Sequence, residues 1–432
     1  MAVGKGKNKL LRALYIVLAV FIIVGSFTLG YFTNAWSNGK DAEYVGELVR
    51  YLKNYGVIDT ETLEVKNLDY EDISKMIASS LSASDNYCSY YTQEEYEKVV
   101  NNGSGNYTGI GISVLDDDLS VFKVTLNSPA HKAGVERGDI LLGAIRGGKE
   151  TLFSSYKDVT NFIAQVSLGS EFILNASRNG ENVSFKIKRE KYVASYVTYM
   201  DSEKEVYFLS DDGKTPEKTV SDGGNPALPQ DTAYISLSQF EGESYGEICT
   251  ALDFMKESGR SKLIFDLRDN GGGYMSVLTG IATRLCDAKT GKAFTVAMAK
   301  DAKGAITEYK SHGNRFGDFI SKISVIANER SASASECLMG AMLYYGNAVQ
   351  KEYVVIENDV LSGGTARTFG KGIMQTTFPL SDGGAIKLTT AVIYQPDGAT
   401  CIHNKGITAT GENAVTKSEN IALSRAIDLL KN

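Results

Sequence analysis

Histidine is scarce in this 432-residue sequence, which contains only three, His131, His312 and His403. A serine or cysteine nucleophile needs a base to activate it, and histidine is the side chain that most often serves. None of the three lies in a segment that indicates a buried base: His131 follows SPA, His312 lies in the polar segment KSHGNRFG, and His403 lies in CIHNKG. The sequence therefore does not favour a histidine-based catalytic centre.

Cysteine is also infrequent and irregularly spaced. The five cysteines form no C-x-x-C pair and are odd in number; they are Cys88, Cys249, Cys286, Cys337 and Cys401. This arrangement fits neither a disulfide framework nor a zinc site. We expect buried apolar thiols instead.

The sequence has no excess of basic residues. Lysine and arginine total 45 against 52 acidic residues, which gives a net charge of −7. A nucleic-acid-binding protein needs a basic face, so this balance argues against that class of partner. Hydrophobic residues make up 43% of the chain and charged residues 22%, close to ordinary globular usage, and the length allows two or three domains.

Charge is absent from one long segment, Ala13 to Phe32, which follows four basic residues, Lys5, Lys7, Lys9 and Arg12. An α-helix of this length is ~30 Å long, the thickness of a bilayer core. Positive charge before the span predicts a cytoplasmic N-terminus. A cleavable signal peptide is the alternative, but its apolar region would be too long and no A-x-A-like site follows. We expect residues 1–35 to be a cytoplasmic stub and an uncleaved membrane anchor, with the rest of the chain outside the cytoplasm.

The next two segments differ in their periodicity. Residues 36–105 predict short amphipathic helices, as in YEDISKMIASSL, and the segment NNGSGN (101–106) that follows them is interpreted as a linker. Residues 106–192 predict a compact domain of strands with at least one helix. Its apolar residues recur at helical spacing from Val159 to Val166, and alternating residues on either side of Asn179-Gly180 predict a β-hairpin.

Residues 193–432 predict an α/β layer structure. After a polar stretch at 209–231, which we interpret as a surface loop, strand-like and helix-like segments alternate, beginning with TAYISLS and KLIFDL. The glycines of DLRDNGGGYMS follow one predicted strand, where their backbone N–H groups can approach a ligand. The sequence lacks G-x-x-x-x-G-K-[ST] and G-x-G-x-x-G, so these glycines do not indicate a nucleotide site.

The segment NERSASASECLMGAM predicts a turn followed by a helix and contains three serines, Ser331, Ser333 and Ser335. Ser333 and Glu336 fit a helix capping box, which is a structural role. A serine at this position also has its hydroxyl beside the free N–H groups of a helix terminus, where an oxyanion can be stabilised. Lys371 can act as the base if burial lowers its pKa, although an exposed strand-edge lysine is the alternative. In an extended strand, Gln375 would share a face with Lys371.

Five motifs together resemble the carboxyl-terminal processing peptidases, which are serine proteases with an embedded PDZ domain. They are YTGIGI with SPAHKAGVERGDILL, DLRDNGGG, SASASE, TFGKGIMQ and PLSDGGAIKLTTAVIYQPDG, and the resemblance extends from about Leu68 to Thr408. The fold expected from it is an α/β multidomain protein with a helical N-terminal region, a PDZ domain at 106–192 and a peptidase core at 193–432.

The resemblance also implies roles for particular residues. Ser333 falls on the nucleophile, Lys371 on the general base and Gln375 on the residue that orients the lysine. Further positions are implied for the oxyanion hole (Ala334 with Gly272 or Gly273), for support (Glu336 and Thr368) and for binding a peptide C-terminus (Gly109, Ile110, Gly111 and Ile112). His403 falls on a non-catalytic position. No metal or other cofactor is implied.

The implied function is a membrane-anchored extracytoplasmic serine endopeptidase that recognises the free C-termini of proteins or peptides. A catalytically silent membrane-anchored PDZ scaffold is the alternative function. Further copies of the same chain, in a homo-oligomer, are left open as a second class of partner besides the substrates. Three features depart from the family pattern. Gly271 replaces a proline, and Tyr344 stands where the family often has an aspartate. Lys371 follows Ser333 by 371 − 333 = 38 residues, which is longer than the family spacing. The residues that lengthen the spacing between Ser333 and Lys371 predict an extra loop at 350–369, which would lie over the active site or at its rim.

Overall fold

The computed structural model describes residues 46, 49–50, 57–58, 65–66, 69–200, 206–209, 216–219, 227–346, 348–417 and 421–431. The predicted membrane anchor at 13–32 lies outside the described residues. Within the described ranges, no helix combines the length and apolarity that a membrane span requires. The chain divides into two compact units, Met1–Tyr90 and Tyr91–Asn432.

The first unit contains the predicted amphipathic helix. Its strands β1 (Val57–Ile58) and β2 (Val65–Lys66) pair antiparallel. Helix α1 (Tyr70–Ser82) begins at a capping box, in which the side chains of Asp69 and Asp72 accept from each other's backbone N–H groups. Strand β3 (Ser89–Tyr91) lies at the boundary of the units.

The second unit begins with helix α2 (Gln93–Gly103), so part of the predicted linker NNGSGN is the end of a helix. The small lobe (residues 106–193) follows. Its helices are α3 (Pro129–Lys132) and α4 (Tyr156–Gln165). Its strands are β4 (Asn106–Gly109), β5 (Ile112–Val114), β6 (Val121–Val124), β7 (Ile140–Arg146), β8 (Lys149–Leu152), β9 (Glu171–Arg178), β10 (Glu181–Lys188) and β11 (Glu190–Val193).

The small lobe has its own apolar core. Val121, Leu141 and Leu174 from three strands are buried in one cluster with Val159 of α4. The predicted hairpin is present, since β9 and β10 pair antiparallel around Asn179 and Gly180. Both turn residues have positive φ, 52° and 85°, as a two-residue turn of this kind requires.

The main lobe (residues 194–432) contains helices α5 (Ser244–Glu257), α6 (Met275–Leu285), α7 (Ala334–Tyr345) and α8 (Ile421–Lys431). Its first strands are β12 (Val197–Met200), β13 (Val206–Leu209), β14 (Pro216–Thr219), β15 (Thr232–Leu237), β16 (Lys262–Asp266), β17 (Thr295–Asp301), β18 (Ile306–Lys310) and β19 (Lys322–Asn328). The remaining strands are β20 (Val354–Asn358), β21 (Thr365–Arg367), β22 (Ile373–Pro379), β23 (Ala385–Tyr394), β24 (Thr408–Thr410) and β25 (Ala414–Thr416).

The central sheet has the order β14-β13-β12-β15-β16-β19-β20-β25, and its strands from β15 to β25 are parallel. Alternate residues of the parallel strands enter different cores. Phe265 packs in the cluster that contains residues of α5, α6 and α7, whereas its neighbour Ile264 packs in the cluster that contains residues of α8. Burial on both faces explains why these strands are continuously apolar in sequence.

Two sequence expectations are wrong. The stretch 209–231 is not only a loop, because residues 216–219 form a strand that pairs with β13. Residues 350–369 are not simply an extra loop either. They contain β20, a buried strand between β19 and β25, and the short strand β21. The apolar run Val354–Ile356 is buried on both faces of the sheet, which explains its composition.

Candidate active site

Three loops meet because of the sheet topology. Strands β15, β16 and β19 are parallel neighbours, so their carboxyl ends lie at one edge of the sheet. Leu237 ends β15, the DLRDNGGG segment follows β16, and the serine-rich turn follows β19. Ligand sites in α/β proteins commonly lie at this edge.

The serine-rich turn distinguishes its three serines clearly. Ser331 is buried and donates to the carbonyl oxygen of Leu267 at 2.8 Å. Ser335 is also buried and donates to the carbonyl oxygen of Asn270 at 2.9 Å. Ser333 lies between them and is partly exposed. Two hydroxyls therefore hold the turn against the loop that follows β16, and the third faces accessible space.

The backbone of Ser333 is strained. Its φ is 56° and its ψ is −114°, a conformation that a residue with a Cβ atom rarely adopts. Ser333 immediately precedes α7, and the N–H of the next residue, Ala334, has no acceptor among the described residues. A sharp strand-to-helix turn with a serine at its apex is a known arrangement for presenting a nucleophile.

Glu336 connects this turn to the lysine segment. Its side chain is fully buried, and one carboxylate oxygen accepts from the N–H of Ser333 and the N–H of Lys371, both at 2.9 Å. The other oxygen accepts from the hydroxyl of Thr368 and from the N–H of Gly370 at 2.7 Å. The two segments that the sequence analysis paired are thus held by one carboxylate.

Lys371 does not lie in a strand, so the expectation of an extended strand that runs from Lys371 to Gln375 is wrong. Strand β22 begins at Ile373, and its pairing with β23 shifts register between Met374 and Gln375. Gly370 has a φ of 89°, which bends the chain just before the lysine. The Gln375 amide donates to the hydroxyl of Thr389 at 3.0 Å.

The glycine loop lies directly against Ser333. A Cβ atom on Gly272 would lie 2.8 Å from the Cβ of Ser333 and 2.9 Å from the nitrogen of Ala334. The absence of a side chain therefore keeps open the space in front of the Ala334 N–H. The Gly272 N–H donates to Asn270 Oδ1 at 2.9 Å, whereas the Gly273 N–H has no acceptor within the described part of the chain. Of the two predicted glycines, Gly273 has the available donor.

Asn270 is a structural residue that the sequence analysis missed. It is fully buried, its amide nitrogen donates to the carbonyl of Leu237 at 2.8 Å, and its own carbonyl accepts from the Ala332 N–H at 3.0 Å. Asn270 thus joins all three loops. Its place after D-L-R-D was the available signal, but an asparagine beside glycines also fits an ordinary turn.

The three histidines lie in different surroundings. The ring of His131 packs on Phe208 at 5.0 Å between centroids, and burial lowers the pKa of His131. The His312 ring lies 6.4 Å from that of Tyr245. The backbone of His403 lies against Gly372, where a Cβ atom would be 2.6 Å from the His403 nitrogen. His403 therefore supports the lysine segment through its backbone.

The cysteines are free, but only Cys286 and Cys337 are buried. The expectation of buried thiols is therefore wrong for Cys88, Cys249 and Cys401, which are partly exposed. In the described ranges, no group of three or more histidine, cysteine or acidic side chains is arranged to hold a metal ion.

The loop predicted to bind peptide C-termini lies between β4 and β5 of the small lobe. Gly111 has a φ of 82° and packs so closely on Ser128 that a Cβ atom would lie 2.2 Å from the serine Cβ. The carbonyl of Ile110 accepts from Ala130, while the N–H groups of Ile110 and Gly111 have no acceptor among the residues described. Two adjacent free donors of this kind can bind a carboxylate.

Comparisons with known proteins show which family the chain resembles. Residues 231–412 match the model of peptidase family S41. The chain is 26% identical over 399 residues to a probable CtpA-like serine protease of Staphylococcus aureus, covering 91% of this chain and 69% of the relative. It is 26% identical over 406 residues to a probable CtpA-like serine protease of Staphylococcus epidermidis, covering 93% of this chain and 73% of the relative. Other matched Staphylococcus aureus proteins are covered over only 60% of their length.

A solved structure shows the same fold. The photosystem II D1 C-terminal processing protease aligns with a TM-score of 0.50 and 22% identity, over 89% of each chain. The matched family segment contains the serine turn, the buried glutamate and the lysine segment described above. The family resemblance predicted from the motifs is confirmed: residues 231–412 match peptidase family S41, and the matched relatives, probable CtpA-like serine proteases, support a serine-type peptidase.

Proposed function

We propose that this protein is an extracytoplasmic endopeptidase that cleaves by a Ser333–Lys371 mechanism. The observation that carries the proposal is the Glu336 carboxylate, which accepts from the backbone N–H groups of both residues at 2.9 Å. Ser333 is also the accessible serine of its turn, and it has the strained backbone expected of a presented nucleophile.

The proposed reaction needs only protein groups. Neutral Lys371 accepts the proton of the Ser333 hydroxyl as the serine oxygen attacks the peptide carbonyl carbon. The N–H groups of Ala334 and Gly273 stabilise the oxyanion of the tetrahedral intermediate. The intermediate then expels the amine, which takes its proton from Lys371, and water hydrolyses the acyl-enzyme by the same route. Gln375 is proposed to orient the lysine.

A Ser333→Ala variant and a Lys371→Ala variant test this chemistry. We expect each to lose nearly all hydrolysis of a fluorescently labelled casein, because a nucleophile and its base act as one unit. Ser276→Ala, a change at an exposed serine of α6, serves as the matched control and should retain wild-type activity. Treatment with EDTA should have no effect. Activity that survives Ser333→Ala would contradict the assignment, and inactivity of the wild type would favour the catalytically silent scaffold.

We also propose that residues 106–192 are a PDZ domain that binds protein C-termini. The free N–H groups of Ile110 and Gly111 support this, because they can donate hydrogen bonds to a terminal carboxylate while the peptide pairs beside Ile112. A full-length Ser333→Ala protein should bind a labelled peptide that has a free C-terminus and should bind its amidated counterpart at least ~10-fold more weakly. Equal binding of the two peptides would contradict the proposal.

Residues 13–32 are proposed to anchor the protein in the membrane with its N-terminus in the cytoplasm. This proposal is supported by the uncharged segment, which directly follows the basic residues Lys5, Lys7, Lys9 and Arg12. The protein should sediment with membranes after an alkaline carbonate wash, and a chain that begins at residue 36 should not. Release of the full-length protein by that wash would contradict an anchor.

A further inference from the structure

The loop that carries Gly272 and Gly273 has an unusual backbone that needs support. Asp269, Gly272 and Gly273 have φ values of 59°, 102° and 146°, and Asp269 is not a glycine. Left-handed conformations of this kind persist where surrounding contacts hold them. We call residues 269–273 the oxyanion loop.

A second segment supports the oxyanion loop by backbone pairing. The N–H of Phe240 donates to the carbonyl of Gly272 at 2.9 Å, and the N–H of Tyr274 donates to the carbonyl of Phe240 at 2.8 Å. The Phe240 side chain is fully buried. A Cβ atom on Gly273 would lie 2.3 Å from the Phe240 oxygen, so the two segments are in close contact. We call residues 238–241 the bracing segment.

The small lobe contacts both of these segments through charged side chains. Arg137 Nη1 lies 2.5 Å from Asp269 Oδ2, in the oxyanion loop. Lys123 Nζ, from strand β6, donates to the carbonyl of Ser238 at 3.2 Å and to Gln239 Oε1 at 3.3 Å, both in the bracing segment.

The charges at this contact are complementary. Burial would raise the pKa of Asp269, but Arg137, Asn328 and Arg330 outweigh burial and lower it, so the carboxylate remains ionised. Burial lowers the pKa of Lys123, and the carboxylates of Glu241 and Asp269 oppose that shift. Glu241 is held from the small lobe as well, by the Tyr107 hydroxyl at 3.1 Å. Loss of Arg137 would therefore remove one of the two guanidinium groups that pair with the partly buried Asp269 carboxylate, and loss of Lys123 would remove a positive charge near Glu241 and Asp269.

We propose that Arg137 and Lys123 are positioning residues for the oxyanion loop, so that docking of the small lobe holds Gly273 in its donor geometry. This inference rests on the proposed peptidase function, because the loop matters for catalysis only if it receives an oxyanion. Neither residue needs to contact the substrate. The expected consequence of losing either one is slower chemistry with unchanged substrate binding.

The kinetic test uses the full chain with Arg137→Gln and Lys123→Met. Each variant should lower kcat by about 10-fold to 100-fold and change KM less than about 2-fold, because misplacing a catalytic group by ~1 Å has effects of this size. Arg137→Lys and Lys123→Arg should restore most of kcat by retaining the charge. Arg146→Gln is the matched control, since Arg146 donates to the Gln165 carbonyl within the small lobe.

A second readout does not depend on activity. Backbone amides of residues 267–275, followed by hydrogen–deuterium exchange and mass spectrometry, should exchange at least ~5-fold faster in Arg137→Gln and Lys123→Met than in Arg146→Gln or wild type. An inactive wild type would overturn the proposed function, and the exchange result would still decide the positioning role. Unchanged exchange together with unchanged kcat would overturn the inference. If Lys123→Met fails to fold, Arg137→Gln decides alone, since the Arg137 side chain is 45% exposed.

Discussion

The carboxylate of Glu336 accepts four hydrogen bonds while it is fully buried. The sequence presented it as one half of a capping box, and it does accept from the N–H of Ser333 as that motif requires. Its other three donors come from residues 368–371. A capping motif could be predicted from local spacing, but these donors are 32 to 35 residues away and are brought near only by the fold.

The first prediction concerns the charge of this residue. In Glu336→Gln, one acceptor oxygen is replaced by an NH2 group that faces N–H donors. We expect the free energy of unfolding to fall by about 3 kcal/mol and kcat to fall with it, because a buried charged network loses an acceptor. Urea unfolding and steady-state kinetics give both quantities.

A matched control for this prediction is Glu412→Gln, since the Glu412 side chain is 81% exposed. We expect it to change the unfolding free energy by less than about 0.5 kcal/mol. A Glu336→Gln protein as stable and as active as this control would show that the four hydrogen bonds do not hold the site.

At the scale of elements, the glycine pair beside Ser333 is closely packed against its neighbours. A Gly272→Ala change would place a methyl group 2.8 Å from the Ser333 Cβ and 2.9 Å from the Ala332 oxygen, at a residue with a φ of 102°. The new methyl group would also occupy the space in front of the Ala334 N–H. We expect kcat/KM to fall by at least ~100-fold, as for loss of an oxyanion-hole donor.

The neighbouring glycine provides the control for Gly272→Ala. A Cβ atom on Gly271 would have nothing within 4 Å, so Gly271→Ala should keep kcat/KM within about 2-fold of wild type. If both alanine variants behaved alike, the argument from steric contact at Gly272 would be wrong.

The elements that the sequence predicted well are those whose signal is local. The hairpin at Asn179–Gly180 and helix α4 are fixed by turn chemistry and by apolar spacing, and both are present. Strand β20 was assigned to an extra loop because its place in the sheet depends on distant partners, β19 and β25. The placement of Lys371 in a strand failed for a similar reason, since Glu336 and His403 fix the bend around it.

At the scale of the whole molecule, a buried acidic residue lies where the small lobe joins strand β12 of the central sheet. Glu247 of helix α5 is buried, and its carboxylate accepts from the N–H of Tyr196 at 2.8 Å. Burial raises the pKa of Glu247 to about 7, from an ordinary value of 4.5. The folded protein therefore binds this proton more tightly than the unfolded chain does.

The sign of this shift fixes a pH dependence of stability. The contribution of Glu247 to the free energy of unfolding decreases as pH rises from 4.5 to about 7 and is constant above that. The free energy of unfolding of Glu247→Gln, minus that of wild type, should therefore increase by ~3 kcal/mol between pH 4.5 and pH 8. Urea unfolding at a series of pH values measures it.

The control for Glu247 is Glu257→Gln, which changes an exposed acid at the end of the same helix. Its stability should follow that of wild type at every pH. If the Glu247→Gln protein also followed wild type, Glu247 would have to be ionised in the folded protein without a penalty from burial.

The most direct test of the Ser333–Lys371 assignment is covalent labelling of the full-length protein with a fluorophosphonate, followed by tandem mass spectrometry of the modified peptide. We expect one phosphonylated residue, Ser333, in the wild type. We also expect labelling to slow by at least ~100-fold in Lys371→Ala, because the serine then lacks its base. Labelling of Ser331 or Ser335, or a rate at Ser333 that does not change when Lys371 is replaced, would contradict the account.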